Sequence, residues 1–177
     1  MKNVVLVLLL GLSVCLVAQT KKRAKPVKPV NLDSPAWKAY DAKMDVLRKQ
    51  ATTALHAEYA REEDGDECST LPSEAQISNC LAHEQEITTK NYAAYAKALT
   101  ALLRVRWPKD PMGSMPLNRG TKFDAAERSW VLYRNKTCSA KSDAAYGGSG
   151  QGQIETNCLQ DLTRRHMHEL ESLYKDE

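Results

Sequence analysis

From Ser34 onward, apolar residues return at helical spacing. Ser34-Pro35 offers an N-cap followed by Pro at the first helical position, and Trp37, Tyr40, Met44, Leu47, Ala51, Leu55 and Tyr59 then recur three and four residues apart. That stripe predicts an amphipathic helix over 35–62. It runs into Glu62-Glu63-Asp64-Gly65-Asp66-Glu67, acid at the end of a helix where the dipole disfavours it, so the chain is expected to turn there. Ser73 with Gln76 is a capping-box pattern, and Ile77, Cys80/Leu81, Glu84, Ile87, Asn91, Tyr95, Leu99, Leu102 and Trp107 continue one stripe up to Pro108. A second, long helix over 73–106 follows. Pro108, Pro111, Gly113, Pro116 and Gly120 mark a connecting loop. Thr121 and Asp124 make a further capping box, leading Phe123, Ala126, Trp130, Tyr133 and Thr137 along a third helix. The stretch Gly147-Gly148-Ser149-Gly150-Gln151-Gly152 closes that hairpin, and Ile154, Cys158, Leu162, His166, Leu170 and Leu173 supply the stripe of a fourth. The expectation is an all-α fold of four helices arranged as two αα-hairpins.

The segment ahead of these helices reads differently. Met1 to Ala18 has a basic start at Lys2, an apolar run from Val4 to Leu10, a Gly11-Leu12-Ser13 break, and a small residue before Gln19. This is the pattern of a secretory signal peptide, 1–18. A membrane anchor would need a longer unbroken run. Leu12-Ser13-Val14-Cys15 loosely resembles a lipobox, but Val14 stands where a small residue is wanted, so lipid anchoring at Cys15 is the weaker reading. Residues 19–33, with Pro26 and Pro29 among lysines, read as a flexible basic linker, leaving 34–177 as the helical domain.

Charge changes the picture once it is divided. Lys2, Lys21, Lys22, Arg23, Lys25 and Lys28 supply six of the 25 basic residues, while all 22 acidic residues lie beyond position 30, so the net +3 of the whole chain hides an acidic folded part. The basic excess belongs to the tail and gives no support for a nucleic-acid groove. An aromatic content of 6% with a single Phe argues against a β-sandwich, and 177 residues make one domain. Four cysteines remain after the leader: Cys68, Cys80, Cys138 and Cys158. An even number in an exported chain implies two disulfides with three possible connectivities; the spacings favour Cys68–Cys80 and Cys138–Cys158, each stapling one hairpin. A zinc site is disfavoured because no C-x2-C pair is present.

The sharpest surface feature is the acidic cluster Glu62, Glu63, Asp64, Asp66 and Glu67, which is either a solvated turn or a patch that attracts a basic partner. Its order lacks the ligand spacing of a calcium loop. The Tyr146–Gln153 loop is either a connector or an element that enters a sugar-binding cleft, with Ser149, Gln151 and Gln153 able to hydrogen-bond where sugar would lie. Trp130, Tyr133 and Arg134 are expected in helix–helix packing, Arg134 paired with Glu127 or Asp161, and Trp37 and Trp107 are expected in the core. His56, His83, His166 and His168 include no i, i+4 pair, and there is no G-x-S-x-G elbow, Cys–His nucleophile or marked carboxylate pair, so neither an enzyme nor a cofactor is expected.

The stretch Phe123-Asp-Ala-Ala-Glu-Arg128-Ser-Trp130-x2-Tyr133-Arg134-x3-Cys138, the following Gly147-Gly148-Ser149, and Cys158-Leu-x2-Leu162-Thr163-x-Arg165-x3-Glu169-Leu170 resemble the lysozyme-inhibitor LprI-like domain family. Upstream, Cys68, Asn79-Cys80-Leu81 and Tyr92-x2-Tyr95 are similar to that family's first half. The resemblance covers about 66–173 and leaves out the helix over 35–62. It implies a small, exported, disulfide-stapled helical domain of a family whose founding member inhibits lysozyme; the expected activity of this chain, periplasmic or secreted, is inhibition of a lysozyme by occluding its substrate cleft. Many lysozymes are strongly basic, which an acidic domain suits. The rival reading is a structural or adaptor module of the envelope that holds another protein through the 35–62 helix. Either way the expected partner is a protein.

Overall fold

The structure is a computed structural model that describes residues 31–64, 67–108, 118–148 and 150–176. The signal peptide and most of the linker read from the sequence lie outside the described residues, as do Asp66 and Ser149. Four α-helices carry the fold: α1 (Pro35–Asp64), α2 (Glu74–Leu103), α3 (Arg119–Asp143) and α4 (Gln151–Tyr174), with a single 3₁₀ turn, Glu67–Thr70, between α1 and α2. Among the described residues no strand is present. No described helix is long and apolar enough to cross a membrane.

The helices run up, down, up and down. α2 is the central one, packing on α1, α3 and α4, while α3 and α4 pair with each other. Met44, Ala51, Ala54 and Leu55 of α1 join Tyr92, Tyr95, Ala98, Leu99, Leu102 and Leu103 of α2, Phe123 of α3, and Met167 and Leu170 of α4 in one core. The α1 and α2 stripes read from the sequence therefore face inward. Pro35 opens α1, where its missing N–H costs nothing, and the Ser34 carbonyl accepts the Lys38 amide at 3.1 Å. Ser73 caps α2 as the pattern predicts, its hydroxyl accepting from the Gln76 amide at 3.4 Å and donating to Gln76 Oε1 at 2.8 Å.

Both expected disulfides form, with Cα–Cα distances of 5.5 Å for Cys68–Cys80 and 5.4 Å for Cys138–Cys158. Because α1 and α3 end where α2 and α4 begin, both bridges clip the same end of the bundle. The opposite end is tied by Asp124 of α3, which accepts Thr100 Oγ1 at 2.7 Å and pairs with Arg104.

That tie corrects the expected Thr121/Asp124 capping box. Asp124 is used across the helix interface, and α3 begins earlier, at Arg119, with no side-chain cap. Gly120 lets this first turn approach α2: a Cβ there would lie 2.4 Å from Arg104 Cγ and 3.0 Å from the Thr100 carbonyl oxygen. The inward row of α3 is Phe123, Glu127, Trp130, Arg134 and Cys138: Phe123 and Trp130 of the expected stripe face in, but Ala126 and Tyr133 do not, Tyr133 being 59% exposed. Polar side chains with buried partners hold that row, so hydrophobicity alone misplaces it. Trp107 is also outside the core, because α2 ends at Leu103 and the chain leaves the bundle before reaching it. α4 starts at Gln151, inside the glycine-rich stretch, and Leu173 in its last turn faces solvent.

Candidate functional site

The disulfide-clipped end is built on a buried carboxylate. Glu58 lies on the inward face of α1, between Leu55 and Tyr59, and is 1% exposed. Its carboxylate accepts hydrogen bonds from Thr88 Oγ1 at 2.6 Å, Asn91 Nδ2 at 2.8 Å, Arg164 Nε at 2.8 Å and Arg61 Nη1 at 2.9 Å. Burial pushes this carboxyl's pKa up, but the hydrogen bonds from Thr88, Arg164 and Asn91 and the Arg61 charge outweigh burial and hold it below its ordinary value. Arg61 also pairs with Glu84 and donates to the Glu84 carbonyl at 3.0 Å, while Gln160 donates to Thr88 Oγ1 at 3.4 Å. One charged network thus ties α1 to α2 and α4.

Above it opens a polar cleft of about 610 Å³, with Arg61 and Arg164 in its lining and Asp64, Glu67, Glu84, Asp161, Asn157 and the Cys68–Cys80 bridge around them. The acidic cluster read from the sequence divides here. Glu62 turns toward α4, contacting Arg164 at 3.7 Å and His168 at 3.0 Å. Glu63, Asp64 and Glu67 are exposed, and Asp64 and Glu67 line the cleft.

The glycine-rich loop reaches the same end. Gly147 has φ +80°, the left-handed conformation that redirects the chain after α3, and Tyr146 beside it is 87% exposed. Gln151 opens α4. Gln153 is engaged rather than free: its Nε2 donates to Glu74 Oε2 at 2.6 Å and Ser78 Oγ at 3.2 Å, fastening the start of α4 to the start of α2. The acidic turn, the loop and both disulfides therefore share one end of the molecule.

A family model described as lysozyme inhibitor LprI matches residues 66–170, which include both disulfides, α2, α3 and most of α4. The chain belongs to the LprI family. No curated protein and no solved structure matches it. The family's description implies lysozyme inhibition and a protein partner in general terms. Together with the two disulfides, it indicates an exported protein.

In this LprI domain the Trp-Tyr-Arg-Cys segment is mostly structural. Trp130 stacks on His166 with ring centroids 3.9 Å apart, and the Arg134 guanidinium lies 5.3 Å from the Trp130 ring. The expected Arg134 salt bridge to Glu127 or Asp161 does not form. Arg134 instead donates to Thr163 Oγ1 at 3.0 Å and to Asn135 Oδ1, while Glu127 accepts the Tyr92 hydroxyl at 2.8 Å and meets His166 Nε2 at 3.1 Å. Burial and the Glu127 hydrogen bond push the Tyr92 phenol upward. Burial lowers the Arg134 guanidinium, against the pull of Tyr92. Tyr133 points outward beside exposed Leu132. Among the described residues no group of three His, Cys, Asp or Glu side chains is placed to hold a metal.

The sequence reading missed Glu58, Arg61 and Arg164. A signal existed: Glu58 is seven residues beyond Ala51 and three beyond Leu55, on the apolar stripe itself, and a carboxylate there requires buried cationic partners.

Proposed function

We propose that this chain is exported to the periplasm or secreted under a signal peptide ending at Ala18, and that it inhibits a lysozyme by laying its disulfide-clipped end across the enzyme's substrate cleft. Family membership supports the inhibition. The observation that carries the occlusion is the convergence of two unlike surfaces at one rigid end. Glu63, Asp64 and Glu67 give it exposed negative charge, and the loop carrying exposed Tyr146 lies at the same end of the bundle. The acidic rim speeds and orients approach to a basic enzyme, while that loop supplies bulk where sugar would lie. Arg61 and Arg164 add little positive field, since Glu58, Glu62 and Glu84 neutralise them. The two staples and the Gln153–Glu74 contact keep this end ordered, which limits the entropy lost on docking.

Occlusion predicts mutual exclusion with substrate. A chitooligosaccharide that fills the lysozyme cleft should compete with the oxidised protein for the enzyme in a binding titration. Simultaneous binding of both would show that inhibition does not proceed through the cleft.

A further inference from the structure

We propose that the outer seam between α1 and α2 is a second docking site, fitted to an amphipathic helix of a partner protein whose small apolar face is flanked by carboxylates. The seam is an open trough of about 760 Å³. Ala54 and Ala98 form its buried floor, Ala57, Ala94 and Ala101 its walls, and Val46, 57% exposed, closes one end. Such short side chains let another backbone come close. The antiparallel pair places Val46 near Ala101 and Ala57 near Asn91, so the trough runs roughly 16 Å, three turns of a docked helix. Its open shape suits a helix laid in a groove better than an enclosed small ligand.

Charge selects the occupant. No acidic side chain lines the trough, and Lys49 of α1 and Lys97 of α2 stand on its opposite walls. Neither ammonium group has an ion-pair partner among the described residues, whereas Lys90, two turns before Lys97 on α2, is paired with Glu86 at 2.7 Å. Two unpaired lysines beside an apolar floor call for carboxylates on the rim of whatever covers it. A basic lysozyme does not fit this description. The trough runs along residues 46–57 of α1 and 91–101 of α2, away from the disulfide-clipped end on which the proposed inhibition rests.

The test uses the ¹⁵N-labelled, oxidised chain and two synthetic helical peptides with the same Ala/Leu face, one flanked by Glu and one by Lys. The Glu-flanked peptide should shift amide signals confined to the seam, and K49E/K97E should weaken its binding at least tenfold. The Lys-flanked peptide should not bind, and K49E/K97E should inhibit lysozyme as the parent does. The proposal is overturned if the seam signals do not move, or if both peptides bind alike. It is equally overturned if the seam signals shift with protein concentration alone, which would mean that a second copy occupies the trough, or if K49E/K97E loses inhibition.

Discussion

Glu58 stands where the apolar stripe of α1 would accept a leucine, and four donors meet its carboxylate. Removing it leaves Arg61 and Arg164 short of a counter-charge in a half-buried place. Glu58→Ala should therefore cost about 3–5 kcal/mol in urea unfolding, and Glu58→Gln, which keeps some of the hydrogen bonds, about 1–3 kcal/mol. The sign of the pH effect follows from the lowered pKa. The stabilisation is complete above the ordinary carboxyl value of 4.5 and is lost as pH falls through the lower folded value. Unfolding midpoints measured from pH 6 down to pH 2 should fall more steeply for the parent than for Glu58→Gln; parallel curves would contradict the assignment. At this scale the sequence is least legible. Arg134 could be placed on a buried face, but its partners come from α3 and α4 residues whose proximity only the packing decides, and Glu127 is taken by Tyr92 and His166.

The elements were easier to read than their partners. Periodicity locates all four helices and spacing selects the disulfide pairing, because hairpins bring neighbouring cysteines together. On α3 periodicity finds Phe123 and Trp130 but misplaces the rest, because the inward row passes through Glu127 and Arg134 and the outward row carries Leu132 and Tyr133. The role of α1 also changes with the packing. An adaptor helix that could be removed without harm would sit outside the core, yet α1 contributes Met44, Ala51, Ala54 and Leu55 to it. A chain beginning at residue 66 should lose its cooperative thermal transition and bind a hydrophobic dye, since Tyr95, Leu99 and Leu102 would be uncovered. Each disulfide should contribute about 3 kcal/mol, the bridge spanning 20 residues a few tenths more than the one spanning 12. Thermal scans of C68S/C80S and C138S/C158S check this. Gly120→Ala, which sets a methyl against the Thr100 carbonyl and Arg104, should cost about 1–3 kcal/mol in the same scans.

At the scale of the whole molecule, charge is arranged along the bundle axis. Exposed acid gathers at the disulfide end through Glu63, Asp64, Glu67 and Glu74, while Lys38, Lys43, Arg106 and Lys122 lie toward the other end. The sequence showed the acidic cluster but not this separation, which depends on helix direction. A molecule so polarised should meet a basic enzyme with its acidic end first. Reversing E63K, D64K and E67K together should slow association with a basic lysozyme at least tenfold in low salt, with little change in the unfolding midpoint, because none of the three belongs to the Glu58 network.

The most direct measurement is titration of the oxidised chain from Gln19 onward into lysozymes of several classes, following cell-wall lysis at low and high salt. The account predicts stoichiometric inhibition of at least one basic lysozyme, weakened as salt rises. Undiminished lysis across the whole panel, with protein shown to be folded and doubly bridged, would contradict it.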